Sequence, residues 1–254
     1  MALINSVHRI GKGLGVLSAI AFGLRSGLRS KPIVLVDVGG RGGLSRSWHF
    51  LWRSGIVTPV FFEPDTMAAS QIVARYESSA FVIQKAAWSA DGTKIFHVTE
   101  EPGASSTLYP LPDPRMPECV KRMLRVEKKL SVEAVRADTA LNNLGVIPEV
   151  VKIDVQGGEL EVLRGFGPLL NSIFCCELEV SFMRGYVKQP LCNDVFDFMM
   201  DSGFGLFDIK VFGVARTRSS VQANSFFCRK NINSSRQNLV EIIFCLANDF
   251  VYRP

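Results

Sequence analysis

A chain of 254 residues, 47% of them hydrophobic, can form one α/β domain whose core needs neither a disulfide nor a structural metal for stability. The net charge of +5 is mild, and no stripe of Lys and Arg interleaved with aromatic residues is present, which argues against nucleic-acid binding. Three histidines are too few for a histidine-rich metal site. The six cysteines include no CxxC pair, so they are interpreted as buried thiols in a reducing compartment.

The first 30 residues differ in composition from the rest of the chain, because they are basic and contain no acid. Their apolar run, Gly13–Leu24, is too short to span a bilayer. It indicates a basic helix that packs on the domain or lies on a membrane surface, with a signal or transit peptide as the alternatives. We therefore predict a cytoplasmic protein with an N-terminal helix or anchor (1–30), a central domain (31–232) and a C-terminal helix (233–254). Peripheral membrane contact through residues 1–30 stays an open alternative.

Strands and helices alternate in the first part of the central domain. The predicted elements are strand Ile33–Val38, helix Leu44–Ser54, strand Thr58–Glu63, a helix capped by Asp65 that runs to Tyr76, and strand Phe81–Ala87. The pair Asp91-Gly92 predicts a tight turn, after which Lys94–Val98 forms the return strand of a hairpin. Five prolines within residues 101–118 predict a long loop, and long loops in compact domains are more often functional than idle.

The alternation continues to the C-terminus. The predicted elements are a short segment Val132–Arg136, strand Val150–Val155, a helix from Gly157 to Leu163, strand Ile173–Val180, helix Asp194–Asp201, an antiparallel pair Gly205–Val211 and Ser225–Arg229, and helix Arg236–Ala247. This order predicts a doubly wound, mostly parallel sheet.

A glycine-rich turn follows the first strand, where a doubly wound sheet binds its ligands. Gly39 and Gly42 permit positive φ angles and close approach of a ligand to the backbone. The spacing D-x-G-x-x-G differs from the dinucleotide pattern G-x-G-x-x-G, which disfavours an NAD-dependent oxidoreductase. Asp37 would repel a phosphate but suits a cation such as the amino and sulfonium groups of S-adenosylmethionine. Glu63, at the end of the second strand, is placed to accept hydrogen bonds from ribose hydroxyls, so the two acids favour an adenosyl cofactor.

Several segments, in this order, resemble the FkbM family of S-adenosylmethionine-dependent methyltransferases. They are VDVGGRGG at 36–43, FEPD at 62–65, AAWSADG at 86–92, GASS at 103–106, VKIDVQGGE at 151–159, ELEVSF at 177–182, Tyr186, QPL at 189–191 and GFGLFD at 203–208. The resemblance covers about residues 33–210. This chain departs from the family pattern at Gly40-Arg41, where the family commonly has an Ala-Asn pair.

The resemblance implies a Rossmann-like fold of the class I methyltransferase type, with a seven-stranded sheet. It also implies S-adenosylmethionine as cofactor and O-methylation of a hydroxyl on a sugar, glycan or other natural product. By position, the resemblance implies that Asp37, Gly39 and Gly42 hold the methionine end of the cofactor and that Glu63 holds the ribose. It also implies that Ser89 and Asp91 lie near the adenine and that Asp154 faces the transferred methyl group. A non-catalytic adenosyl-binding or scaffold protein is the alternative function.

Methyl transfer to an alcohol requires a group that accepts the hydroxyl proton. No histidine falls in a suitable motif, so we predict Asp154 as the catalytic base and Glu179 as the second candidate. Glu159 is either a helix cap or a ligand. Asp154 and Glu159 are too few to predict a divalent metal site, which is kept as a weaker alternative. Four further residues are predicted to contact the acceptor: Ser105, Ser106, Tyr186 and Gln189.

Overall fold

A computed structural model of the chain describes residues 15–214, 219–230 and 234–248, so parts of the predicted segments 1–30 and 233–254 lie outside the described residues. The described strands are β1 (Ile33–Val38), β2 (Val57–Phe62), β3 (Phe81–Ile83), β4 (Ala86–Trp88), β5 (Gly92–Thr99), β6 (Val126–Arg136), β7 (Val150–Ile153), β8 (Cys175–Ser181), β9 (Phe204–Val214) and β10 (Ser219–Arg229). The described α-helices are α1 (Gly15–Arg25), α2 (Arg46–Arg53), α3 (Thr66–Tyr76), α4 (Glu118–Met123), α5 (Ala137–Asn143), α6 (Glu159–Gly165), α7 (Cys192–Asp201) and α8 (Ser235–Ala247).

The central sheet has seven strands in the order β3-β2-β1-β7-β8-β10-β9. Strands β3, β2, β1, β7 and β8 are parallel, whereas β10 runs antiparallel to both β8 and β9. The apolar runs of β1 and β7 pair in register, with Val36 opposite Val151, and are buried as expected for parallel strands covered on both faces. The prediction of a doubly wound, seven-stranded, mostly parallel sheet is confirmed.

Helices cover both faces of this sheet, and each face has its own hydrophobic core. One core contains Val36 and Val38 of β1 and side chains of α5, α6 and α7. The other contains Ile33 and Leu35 of β1 and side chains of α1, α2, α3 and α8. Because successive side chains of a strand point to opposite faces, β1 supplies both cores.

Helix α1 and the chain that follows it contribute to the second core. Ala19 and Leu28 are fully buried there with Ile56 and Val240. Arg236 of α8 forms an ion pair with Glu149 at 2.6 Å and also donates to the carbonyl oxygens of residues 31 and 32. These contacts hold both ends of the described chain against the sheet. Within the described ranges, no helix combines the length and hydropathy needed to cross a bilayer.

The region after β2 differs from the prediction. The expected strand Phe81–Ala87 is two strands: β3 extends the central sheet, whereas β4 belongs to a second sheet of order β4-β6-β5. The predicted hairpin is wrong, because β5 pairs antiparallel with β6, with Gly92 opposite Ala134, and not with the strand before it. The first half of β6 contains the exposed charged residues Glu127, Lys128 and Lys129, so the apolar pattern marked only the end of the strand that includes the buried Ala134 and Val135.

Two local predictions have different outcomes. Asp65 caps α3 as predicted, since its Oδ1 accepts hydrogen bonds from the amides of Met67 (2.9 Å) and Ala68 (3.1 Å). The interpretation of all cysteines as buried thiols holds for Cys175, Cys176 and Cys245. It is wrong for Cys119, which is exposed on α4, and for Cys192 and Cys228, which are half-buried.

Candidate active site

A cleft of about 750 Å³, including its open mouth, lies at the carboxyl ends of β1, β2 and β7. Strand β4 and residues 102–107 form its opposite wall. Its lining includes Gly39 and Arg41 from the first turn, Glu63 and Pro64 after β2, Trp88 of β4, and Asp154 and Gln156 after β7. A volume of this order suits a nucleoside-sized ligand, and the position is the switch point of a doubly wound sheet.

The glycine turn joins the ends of three strands. Gly39 has φ +82°, its amide donates to Phe62 O at 3.0 Å, and a Cβ at this position would lie 1.9 Å from Asp154 O. Only glycine fits there without displacing the end of β7. Gly42 also has a positive φ (+84°), but a Cβ there would meet nothing within 4 Å, and Gly42 does not line the cleft.

Glu63 lies in the cleft wall with only 3% of its surface exposed. Its Oε1 accepts a hydrogen bond from the Asp65 amide at 2.9 Å. Burial raises the pKa of Glu63, while the Asp65 amide and the Arg41 guanidinium oppose that rise. Arg41 pairs with Asp65 at 2.8 Å and lines the cleft, so its side chain is part of the site and not only solvated surface.

Asp37 is placed differently from the prediction. Its side chain shares a sheet face with Leu35, is 2% exposed, and lies 3.2 Å (Oδ1) from Lys152 Nζ on β7. Asp37 is not among the cleft-lining residues. Burial would lower the pKa of Lys152, but the carboxylates of Asp37, Asp154 and Glu177 outweigh it and raise that pKa. The assignment of Asp37 to the methionine end of a cofactor stays a prediction that no contact in the cleft supports.

Sequence reasoning did not identify Lys152 as part of this region. The signal in the sequence was a lysine inside the otherwise apolar strand β7, and the structure places it directly opposite Asp37. A lysine at such a position needs a buried partner of opposite charge.

Gln156 connects the two predicted catalytic carboxylates. Its Nε2 lies 2.7 Å from Asp154 Oδ1 and 2.7 Å from Glu179 Oε2, and its backbone has φ +58°, which is uncommon for a residue other than glycine. Asp154 lines the cleft, whereas Glu179 does not. Burial, followed by the charges of Asp154 and Glu159, raises the pKa of Glu179 well above its usual value. The structure therefore brings Asp154 and Glu179 together through a glutamine that the sequence analysis missed.

Glu159 is the first residue of α6, and its carboxylate turns back toward the end of β7. Its Oε1 accepts hydrogen bonds from the amides of Gly157 (2.9 Å) and Val155 (3.2 Å). Burial raises its pKa from 4.5 to about 7, although these amides favour the charged form. Glu159 therefore orders the turn between β7 and α6 and does not cap the helix, since α6 has Gly158 at its N-cap and no side-chain cap hydrogen bond.

The pKa of Glu159 leads to a prediction for stability. Between pH 4.5 and 7 the folded state holds a proton on Glu159 that the unfolded state has released, so the free energy of unfolding falls as pH rises through this range. The loss amounts to about 3 kcal/mol at 1.36 kcal/mol per pKa unit. We expect Glu159→Gln to remove this part of the slope in urea unfolding at pH 5 and pH 8. The control is Glu118→Gln, on the exposed surface of α4. An equal pH dependence of stability in wild type and Glu159→Gln would contradict the raised pKa of Glu159.

Ser89 and Asp91 have partners outside the cleft. Ser89 Oγ is hydrogen-bonded to the Glu161 carboxylate, and Asp91 Oδ1 accepts from the Arg136 amide at 2.7 Å. Neither residue lines the cleft, whereas their neighbour Trp88 does. Their placement near an adenine therefore stays a prediction without a supporting contact.

The four predicted acceptor residues lie around the end of β7, in different roles. Ser105 lines the cleft, and the Ser106 hydroxyl donates to Gln156 O at 2.8 Å. Tyr186 Oη donates to Ala104 O at 2.7 Å and lies 3.3 Å from Gln156 Oε1. Burial raises the pKa of Tyr186 well above its usual value, so this phenol stays protonated. Gln189 is buried and accepts the Gly185 amide at 2.6 Å, which orders its own loop.

In the described part of the chain, no three His, Cys, Asp or Glu side chains gather in an arrangement that would hold a metal ion.

Comparisons with known proteins give low-identity structural similarities and one family match. Among curated proteins, no sequence matches the chain. The chain is similar to magnesium protoporphyrin IX methyltransferase from Synechocystis, solved with bound S-adenosylmethionine (14% identity, 85% of this chain and 78% of that chain, TM-score 0.43). It is also similar to the 1,6-didemethyltoxoflavin N1-methyltransferase of Burkholderia thailandensis (10%, 87% and 80%, 0.41) and to a putative RNA methyltransferase from Pyrococcus horikoshii (10%, 84% and 83%, 0.35). A sequence model of the methyltransferase FkbM domain matches residues 37–206, which include β1, the glycine turn, Glu63, Asp154 and Glu179. This chain belongs to the methyltransferase FkbM domain family.

Proposed function

We propose that the protein is an S-adenosylmethionine-dependent O-methyltransferase that acts on a hydroxyl of a sugar, glycan or other natural product. The observation that carries the proposal is the presence of two carboxylates, Glu63 and Asp154, in one cleft at the switch point of the sheet. Glu63 is suited to bind a nucleoside, and Asp154 to accept a proton. The family to which the chain belongs supports the methyltransferase part of this proposal.

The cleft is lined by a carboxylate residue and by aromatic side chains that suit an adenosyl cofactor. Glu63 uses Oε1 to bind the Asp65 amide, and its carboxylate forms part of the cleft wall, where ribose hydroxyls would donate to it. Phe62, Trp88 and Phe96 supply apolar wall for a flat aromatic base. When bound, the cofactor would supply a methyl group on a sulfonium sulfur. The carboxylate and aromatic lining fit such a group.

The chain's own residues would position the acceptor and remove its proton. An acceptor hydroxyl that receives a methyl group in place of its hydrogen would have to give up its proton to a group of the protein. Asp154 is the cleft carboxylate placed to accept this proton. Gln156 holds the Asp154 carboxylate at 2.7 Å and links it to Glu179, which we propose acts behind it. Alignment of the reacting atoms in the cleft would supply a further part of the rate enhancement.

The ribose assignment predicts the effect of one substitution. We expect Glu63→Ala to weaken S-adenosylmethionine binding by about 1.5–3 kcal/mol, because hydrogen bonds to a charged group are lost. Isothermal titration calorimetry measures this, with Glu133→Ala, on the exposed part of β6, as the control. Unchanged affinity in a folded Glu63→Ala protein would exclude a role in ribose binding.

Incubation with labelled cofactor tests the proposed function as a whole. The protein is mixed with a cell extract and S-adenosylmethionine that carries a labelled methyl group, and the fraction that gains label is identified. Label on an oxygen atom of a small molecule or glycan supports O-methylation, and label on a nitrogen or carbon atom overturns it. Cofactor binding without transfer to any fraction would favour the non-catalytic adenosyl-binding protein.

A further inference from the structure

A second pocket, of about 380 Å³ including its mouth, lies beside the cleft on the far side of Gln156. We name it the methionine pocket after Met116, Met123 and Met183, which line it together with Leu124 and Val221. These apolar side chains come from the long loop, α4, the segment after β8 and β10. Elements far apart in sequence thus build one apolar wall.

The methionine pocket continues the cleft. Gln156 lines both spaces, and Ala104 of the pocket lies between Gly103 and Ser105 of the cleft. The amide of Gln156 is 2.7 Å from the Asp154 carboxylate. The methionine pocket therefore lies next to the Asp154 side of the cleft, with Gln156 in the wall of both spaces.

The polar side chains of this pocket already have partners in the protein. Both ends of the Gln189 amide are used, by the Gly185 amide at 2.6 Å and the Ser181 hydroxyl at 2.8 Å. The Tyr186 hydroxyl donates to Ala104 O, and Gln222 Nε2 donates to Glu179 at 2.8 Å. A ligand rich in hydroxyl groups would lose its hydration here without replacement hydrogen bonds, which is unfavourable. An apolar group loses no hydrogen bonds when it moves from water into this pocket, and its burial is favourable.

Met123 lies at the edge of the pocket. Its side chain is 44% exposed, and on its other side it borders Glu100, Glu101 and Arg122. Methionine side chains adapt to ligands of different shape because they are unbranched and flexible. Met123 thus offers an adaptable apolar contact at this edge.

We infer that the methionine pocket binds the apolar part of the methyl acceptor, so that the acceptor is an alcohol carried on an apolar body and not a free sugar. This inference rests on the proposed methyltransferase function and narrows its substrate class. An apolar natural product or an alkyl glycoside meets the requirement, with its hydroxyl at Asp154 and its apolar part among the methionines.

Two matched probes test the inference: octyl β-D-glucopyranoside, below its micelle concentration, and methyl β-D-glucopyranoside. Both probes have the same free sugar hydroxyls. They differ only in the alkyl group on the anomeric oxygen, which is octyl in one and methyl in the other. Binding of each to the full chain with S-adenosylhomocysteine present is measured by calorimetry. We expect the octyl glycoside to bind on the order of 100-fold more tightly, which corresponds to burial of about four methylene groups.

Substitutions in the methionine pocket test whether the octyl glycoside binds there. Val221→Thr places a hydroxyl in the pocket wall, and Met123→Gln changes the partly exposed rim, where folding is not at risk. Each is expected to weaken octyl glycoside binding by about 5–30-fold with S-adenosylhomocysteine affinity unchanged. Val73→Thr, on the exposed face of α3, is the matched control and should leave binding unaltered.

The outcomes separate the inference from the proposed function. Equal or absent binding of the two glycosides, or octyl glycoside binding that neither pocket variant weakens, would overturn the methionine pocket as the acceptor site while cofactor binding stays intact. Failure of wild type to bind S-adenosylhomocysteine would instead count against the proposed function.

Discussion

Replacing Asp154 with asparagine is expected to lower methyl-transfer turnover by about 10²–10⁴-fold, the usual contribution of a general base. Asparagine has nearly the same volume, and its Oδ1 still accepts the hydrogen bond that Gln156 Nε2 makes to Asp154 at 2.7 Å. The substitution therefore removes the negative charge and leaves the local geometry. Turnover is measured with labelled S-adenosylmethionine at saturating acceptor, and cofactor affinity, measured by calorimetry, should stay unchanged.

Glu179→Gln is the comparison for this experiment. Because Glu179 does not line the cleft and lies behind Asp154, where it interacts with Asp154 directly and through Gln156, we expect a smaller loss of turnover than in Asp154→Asn. Full activity of Asp154→Asn would make Glu179 the next candidate for the base. Loss of cofactor binding would make Asp154 a cofactor ligand. Restoration of wild-type activity by Mg²⁺ after chelation would support the metal alternative.

Replacing Gly39 with alanine is expected to lower the free energy of unfolding by more than about 3 kcal/mol and to abolish cofactor binding. The new Cβ would lie 1.9 Å from Asp154 O, so the end of β1 and the end of β7 would have to separate. A left-handed backbone adds about 1–2 kcal/mol for a residue with a side chain, and overpacking adds about 1–3 kcal/mol. Urea unfolding and calorimetry with S-adenosylmethionine measure the two effects.

Gly42→Ala is the matched control, because it has the same backbone strain without the collision. Gly42 has φ +84° and open space around its Cβ position. We expect a loss of only about 1–2 kcal/mol, from the left-handed conformation. Equal losses in the two variants would show that the close approach of Gly39 to Asp154 does not matter for stability.

The parts of the fold that were predicted correctly are those marked by a pattern in a few neighbouring residues. Strand β1 was predicted with its observed bounds, because an uninterrupted apolar run followed by glycines has few other interpretations. The cap at Asp65 was predicted from its position before the helix. The first half of β6 was missed, because its exposed residues Glu127, Lys128 and Lys129 show no apolar periodicity.

The candidate site was predicted in its outline but not in its contacts. Glu63, Gly39 and Asp154 follow directly after strands, and parallel strands bring their carboxyl ends to one edge, so their meeting in one cleft follows from the order of elements. It was not predicted that Asp37 pairs with Lys152 and does not line the cleft. This depends on which face of β1 Asp37 occupies and on the residue that lies opposite it on β7.

The sequence by itself determined the alternation of strands and helices, the glycine turn and the acids at the strand ends, since each is encoded in a few neighbouring residues. Only the tertiary structure decided that Lys152 pairs with Asp37, 115 positions earlier in the chain, and that Gln156 joins Asp154 to Glu179. It also decided that three methionines share one pocket. The physical reason is that strand register and loop packing set these contacts, and both depend on the free energy of the whole core and not on any local run of residues.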